Sequence, residues 1–289
     1  MSDQATPLYQ LARKVAPPQS CQAARQRLIV VTGAAAGVGT TLLTVQLARV
    51  WATTGQAVAV VDADPLRPAA TRHFGLEPTG QVWELFRGLL SVDECVTRVS
   101  PEVCLVPGGR PSAIDWFGSQ TGRAEVLQSL QQLRSRFAWT VVDAGAGDGA
   151  IVGDICQTAD ITLLVADDRS SPMDAYAAVK RLARSYPGFD ASRPIALILN
   201  RVLAHRDSEA AQQCLLNTAR RFLNIPIQPA GYVYENEDPR SVLAKFVQSL
   251  DAVRTSAEPE KKIYAHSIRS VPGPIDQLDT GVHSHVKLR

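Results

Sequence analysis

The feature that most limits how this chain can fold is a series of short, almost continuously apolar runs rich in β-branched residues. They are LIVVTG (28–33), AVAVVDAD (57–64), VCLVPG (103–108), WTVVDAG (139–145), ITLLVAD (161–167) and IALILN (195–200). A strand with one wet face alternates apolar and polar residues. Runs without that alternation belong to strands covered on both faces, as in a parallel sheet lying between helices. Amphipathic stretches at 40–54, 122–136, 173–185 and 207–222 are interleaved with them. This alternation predicts an α/β fold, a doubly wound and mostly parallel sheet flanked by helices. A strand over 231–234 and a helix from Pro239 to Leu250 complete the pattern.

The organisation that follows has three parts. Residues 1–26 are a short polar segment and a linker marked by Pro17-Pro18, residues 27–256 are the α/β domain, and residues 257–289 are a loosely ordered polar tail. Thirty Lys and Arg against 28 Asp and Glu leave a charge too balanced for nucleic-acid binding by bulk electrostatics, so no nucleic-acid partner is expected. The five cysteines show no CxxC spacing, which argues against a zinc site or a disulfide framework and fits reduced thiols. No apolar run reaches the ~18 residues of a membrane span, and the N-terminus lacks the apolar core of a signal peptide. A cytoplasmic protein is expected. His283 and His285 in the tail read as solvated side chains, and Trp51, Trp83, Trp116 and Trp139 as packing residues.

Chemistry concentrates at strand ends. The first run leads straight into Gly33-Ala-Ala-Ala-Gly37-Val38-Gly39-Thr40-Thr41 and then a helix. Backbone N–H groups and a helix N-terminus can face an anion there, and glycines permit close approach. A working phosphate loop carries a lysine before its Ser/Thr to neutralise the β- and γ-phosphates. Here that position is Thr40, while Thr41 keeps the hydroxyl that suits magnesium. A plain Gly-rich strand-to-helix turn explains the segment equally well by itself. The second run ends in Asp62-Ala-Asp64 and the fourth in Asp143-Ala-Gly-Ala-Gly147. One such Asp is just as readily a helix cap or turn residue. Three of them beside a Gly-rich loop favour a crevice for Mg2+ and phosphates. Asn200, ending another strand, is either a turn former or an amide near a nucleobase.

These residues resemble the MinD/ParA family of deviant-Walker P-loop ATPases. The family's loop, roughly GKGGVGKTT, aligns on Gly37-Val38-Gly39. VAVVDADPLRPAATRHFGL is similar to its second strand and first switch, and WTVVDAGAGDGA to its Walker B strand and second switch. Three features resemble the FlhG (FleN/YlxH) branch, which controls flagellar number and placement. They are Asp143-Ala-Gly-Ala-Gly147, the stretch Asp174-Ala-Tyr-Ala-Ala-Val-Lys180, and the N-terminal Asp3-Gln4-Ala5-x-x-Leu8, with Tyr9 where that branch has Arg. The resemblance implies ATP or ADP with Mg2+ as cofactor, contacted by Gly37, Val38, Gly39, Thr40, Thr41, Asp143 and Gly147, with Asn200 near adenine. It implies Thr41, Asp62 and Asp143 around the metal, and Asp62 or Asp64 orienting the attacking water. It further implies Asp3, Gln4, Ala5 and Leu8 contacting an FlhF-like GTPase or another secretion or flagellar component, a homodimer, and a peripheral membrane contact.

The departures shape the expected activity. The family's signature lysine falls at Ala35 and the P-loop lysine at Thr40, so two fixed charges are missing. Each charge-assisted phosphate contact is worth about 1.5–3 kcal/mol, roughly ten- to a hundredfold in binding. Hydrolysis is therefore expected to be weak or lost, with Arg67 a candidate for compensation. Three other readings remain: a pseudo-ATPase scaffold, a BcsQ-type accessory protein of cellulose secretion in which Thr can replace the P-loop lysine, and a capsule-type tyrosine kinase. The last lacks its C-terminal tyrosine cluster, since Tyr264 is the only Tyr after residue 234. The stripe Val242, Leu243, Phe246, Val247 and Leu250 either packs on the domain or docks on a membrane. With only Lys245 nearby, it lacks the basic face of an interfacial helix, which favours packing.

Overall fold

The structure is a computed structural model. It describes residues 26–110, 119–146, 150–167, 172–184, 195–203, 205–223, 225 and 227–255. Strand β1 (Arg27–Gly33) is followed by helix α1 (Thr40–Ala52) and β2 (Val58–Asp62). Short helices α2 (Ala70–His73), α3 (Gln81–Phe86) and α4 (Val92–Cys95) lead to β3 (Thr97–Arg98) and β4 (Val103–Val106). Then come α5 (Gln120–Arg134), β5 (Trp139–Asp143), α6 (Ala150–Thr158), β6 (Ile161–Asp167), α7 (Pro172–Arg184), β7 (Ile195–Val202), α8 (His205–Leu223), β8 (Ile227–Tyr234) and α9 (Arg240–Thr255). The sheet order is β3-β4-β2-β5-β1-β6-β7-β8, parallel throughout except for the β3–β4 edge pair. This is the doubly wound sheet that the apolar runs predict.

Alternation along each strand builds two cores. Leu28 and Val30 of β1 face one side, with Val126, Leu130 and Leu133 of α5 and Ile151 and Ile155 of α6. Ile29 and Val31 face the other, with Leu43, Leu47 and Trp51 of α1. Every residue of β1, β2, β4, β5 and β6 is buried, which is why these strands read as unbroken apolar runs. Trp51 stacks on Trp139 with ring centroids 4.1 Å apart, tying α1 to β5 and so fixing the loop before α1 against the sheet.

Several differences from the expected elements have local causes. Helix α5 starts two residues early because Ser119 caps it, its side chain accepting from the Gly122 N–H at 3.0 Å. Strand β8 begins at Ile227 rather than residue 231. Pro229 is tolerated because β8 is an edge strand, and the β7–β8 register shifts beside it. Helices α2, α3 and α4 span only 4–6 residues each, too short to show a helical period, and α6 is nearly apolar all round. In α9, Leu243, Phe246, Val247 and Leu250 are buried in the α1-side core, and Val242 packs against it. The packing reading favoured for this stripe is the one the structure bears out: its apolar side chains are inside the domain. No helix among the described residues is long and apolar enough to cross a membrane. Cys95, Cys104 and Cys156 are buried thiols outside any disulfide, and Cys214 is an exposed one.

Candidate functional site

The site forms where β1, β2, β5 and β7 end on the same edge of the sheet. The segment from Gly33 to Gly39 is pinned at its base by backbone bonds, Gly33 N–H to Gly145 O (2.9 Å) and Ala34 N–H to Val165 O (2.7 Å). A Cβ on Gly33 would stand 2.7 Å from Thr40 Oγ1 and 2.8 Å from Ala146 Cβ, so only glycine fits there. Gly39, at φ 94°, is the N-cap of α1 and offers no side-chain cap. The first N–H groups of a 13-residue helix therefore lack a side-chain partner and face the cleft, an arrangement suited to an anion.

Three side chains hold this loop from outside. The Asn200 amide donates to Val38 O at 2.8 Å, and a Cβ on Gly39 would meet that amide nitrogen at 2.3 Å. Arg201 is the one non-glycine residue of positive φ (54°) among the described residues. Its guanidinium donates to Gly37 O and, at 2.7 Å, to Asp167 Oδ2. Arg181 donates to Ala34 O at 3.3 Å. Asn200, predicted beside adenine, thus lies under the loop with its amide nitrogen bonded there. The Val38 side chain is buried in the core, so only its backbone is available to a ligand. Arg181 and Arg201 have no role in the expectations drawn from the residue pattern. The single available signal was the adjacency of Arg201 to Asn200, because left-handed backbone geometry at an arginine has no sequence signature.

The floor of the cleft is acidic. Asp62 and Asp143 are directly opposite in the β2–β5 register, and both are fully buried. Asp62 Oδ2 accepts from the Thr71 N–H at 2.8 Å and from the Thr71 hydroxyl at 2.5 Å, and that hydroxyl accepts from the Gly108 N–H at 2.9 Å. Asp143 Oδ1 accepts from the Gly145 N–H at 3.2 Å. Among the described residues, Asp62 Oδ1 and Asp143 Oδ2 are buried without a hydrogen-bond partner. Burial pushes Asp62 up to about 6, against the two Thr71 bonds, with Asp64 raising it and Arg72 lowering it. Burial pushes Asp143 up to about 7, partly offset by the Thr41 hydroxyl and Gly145 N–H and reinforced by the Asp62 and Asp64 charges. Asp64 lies higher. Its Oδ1 accepts from the Leu66 and Arg67 N–H groups at 2.8 and 2.9 Å, and a Cβ on Gly145 would sit 2.3 Å from its Oδ2. Above this floor is a cleft of about 270 Å³ lined by Gly37, Gly39, Thr40, Thr41, Asp64 and Arg67, among others.

Two orphaned buried carboxylate oxygens facing a threonine hydroxyl are the donor set that a hard divalent cation would satisfy. Among the described residues no three His, Cys, Asp or Glu side chains are placed to hold an ion by themselves. That suits magnesium, which takes one or two protein carboxylates and completes its shell with water and phosphate. The predicted Gly37, Gly39, Thr40, Thr41, Asp62, Asp64 and Asp143 are all brought together here. Gly147, Asp3, Gln4, Ala5 and Leu8, and the tail histidines, lie outside the described residues.

The strand order and the Gly-rich turn into α1 give the chain the fold of the MinD/ParA class of P-loop proteins. Comparison with known proteins narrows the class. The family model described as cellulose biosynthesis protein BcsQ matches residues 26–183, more than half of the 289 residues, and the chain belongs to that family. It is 27% identical to antiactivator FleN of Pseudomonas aeruginosa, over 86% of this chain and 88% of FleN. It is 25% identical to flagellum site-determining protein YlxH of Helicobacter pylori, over 88% of this chain and 84% of YlxH. Among solved structures, cobyrinic acid a,c-diamide synthase from Mycobacterium smegmatis, with bound ADP and magnesium, shares the fold. Its TM-score is 0.66 at 14% identity, over 81% of this chain and 98% of that one.

Proposed function

We propose that this chain is a MinD-like regulatory protein that binds a magnesium–adenine nucleotide in the cleft before α1 and turns it over weakly or not at all. The observation that carries the reading is the pair of buried, unpartnered carboxylate oxygens of Asp62 and Asp143 beneath the uncapped N-terminus of α1. Thr41, Asp143 and Asp62 would hold the metal, which when bound screens the phosphate charge and polarises the terminal phosphoryl group. The N–H groups from Gly37 to Thr41 hold phosphate oxygens. Asn200 and Arg201 keep the loop carbonyls turned away from the anion. Asp64, which lines the cleft wall, would orient a water, and Asp62 would serve the metal; the lining position of Asp64 supports this division. Ala35 and Thr40 carry no charge to the transferring phosphoryl group, and P-loop hydrolysis depends on such charge. The mant-labelled nucleotides test this. Fluorescence enhancement that needs magnesium, with negligible phosphate release, supports the reading; no enhancement at any concentration refutes it.

Its relatives support two readings of the machine it serves. Membership of the BcsQ family favours an accessory role in cellulose secretion, with Thr40 in the lysine position. Likeness to FleN and YlxH favours an FlhG-type role in flagellar number, with Asp3, Gln4, Ala5 and Leu8 engaging an FlhF-like GTPase. In either setting the exposed Leu42 and Leu66 at the cleft mouth give a partner protein, or a second copy, an apolar foothold that bound nucleotide can reshape. Deleting the gene separates the two: loss of cellulose with normal flagella supports the first role, and altered flagellar number with normal cellulose supports the second.

A further inference from the structure

The loop lacks both lysines, so any fixed positive charge near the phosphates comes from elsewhere. Arg201 and Arg181 are close, but their guanidiniums are bonded to the loop carbonyls of Gly37 and Ala34. Arg201 is also paired with Asp167. Among the described residues lining the cleft, Arg67 is the one carrying a permanent positive charge, and His73 is the other nitrogen base there. Arg67 is exposed, and among the described residues its guanidinium makes no hydrogen bond or ion pair. Its backbone is fixed: the Asp64 carboxylate accepts from the N–H groups of Leu66 and Arg67, folding the segment after β2 back over the loop. Burial of Ala63 and Pro68 on either side holds that turn in place. The side chain thus starts from an ordered backbone position on the wall facing Gly37, Gly39 and Thr40.

We infer that Arg67 is the phosphate-binding cation of this site, meeting the terminal phosphates from the first-switch side in place of the lysine that Thr40 replaces. The inference rests on the nucleotide reading above. A guanidinium can engage two phosphate oxygens at once, whereas an ammonium acts as a point charge, so substitution by lysine only partly preserves the contact. A neighbouring groove of about 580 Å³ supplies the internal control. Arg72 and Arg110 line it with Arg67 but do not line the phosphate cleft.

The test is titration calorimetry of the full chain with Mg-ADP and Mg-ATP. Arg67→Ala weakens binding about ten- to a hundredfold, Arg67→Lys by less, and Arg110→Ala leaves it unchanged. Thr40→Lys in the Arg67→Ala background restores most of the loss, because it returns the charge from the loop side. A thermal unfolding curve for each variant confirms an intact domain. Unaltered affinity in Arg67→Ala, or an equal loss in Arg110→Ala, overturns the assignment while leaving nucleotide binding standing. Absence of binding by the unaltered chain overturns the nucleotide reading itself, and this assignment with it.

Discussion

The floor of the cleft and its rim differ in what they retain. The floor has the acidic groups that a magnesium–phosphate site would need: Asp62 and Asp143 in register, Thr41 beside Asp143, and Thr71 with Gly108 bracing Asp62. The rim has lost both lysine positions to Ala35 and Thr40, and its nearby arginines on β7 and α7 hold the loop itself. Buried carboxylates forced to pKa values of about 6 and 7 are costly to keep unless something uses them. On the proposed reading, the difference means that metal and phosphate recognition can stand without the charges that drive turnover.

The comparison is sharpened most by neutralising the floor. Asp143 titrates near 3.8 unfolded and near 7 folded, so the native state favours its protonated form. The associated stability is full below pH 4 and is lost as pH rises through about 7. In metal-free protein, Asp143→Asn is therefore more stable than the unaltered chain at pH 8, by on the order of 4 kcal/mol at most. That advantage shrinks as pH falls to 5. Saturating Mg-nucleotide reverses the order, because it stabilises only the protein that binds it. Urea unfolding at the two pH values, with and without ligand, checks all three statements.

A change at the rim has the next largest effect. Thr40→Lys restores the missing loop charge and tightens Mg-ADP about ten- to a hundredfold. No gain would mean that the floor and Arg67 already satisfy the phosphates. Arg201→Ala tests the link between loop and sheet. It removes a half-exposed guanidinium from the nearly buried Asp167 and from Gly37 O, costing about 1–2 kcal/mol once solvent screening is allowed for. Chemical denaturation measures that loss, and nucleotide affinity falls severalfold as the loop loosens.

Much of the fold was legible because burial on both faces leaves an unmistakable pattern; β6 runs over the residues its apolar run marks out, 161–167. The acidic residues were legible for a related reason: in parallel sheets the carboxyl ends of strands converge on one edge, so Asp62, Asp64 and Asp143 had to meet near the first loop. The sequence did not reveal how they divide the work. The Thr71 brace depends on α2, a four-residue helix with no period to read. The clamp from Arg201 depends on a backbone conformation that a β-strand end adopts only in its tertiary setting. The helix over 240–255 shows the converse limit, since the missing basic face only favours packing for its apolar stripe, and the shared core with α1 supplies the packing itself.

The most direct test of the central claim is a calorimetric titration of the unaltered chain and of Asp143→Ala with ADP, each with magnesium present and withheld. The account predicts micromolar binding by the unaltered chain with magnesium, and loss of at least a hundredfold when either magnesium or the Asp143 carboxylate is removed. Equal affinity in all four titrations, or no binding by the unaltered chain at millimolar nucleotide, would contradict it.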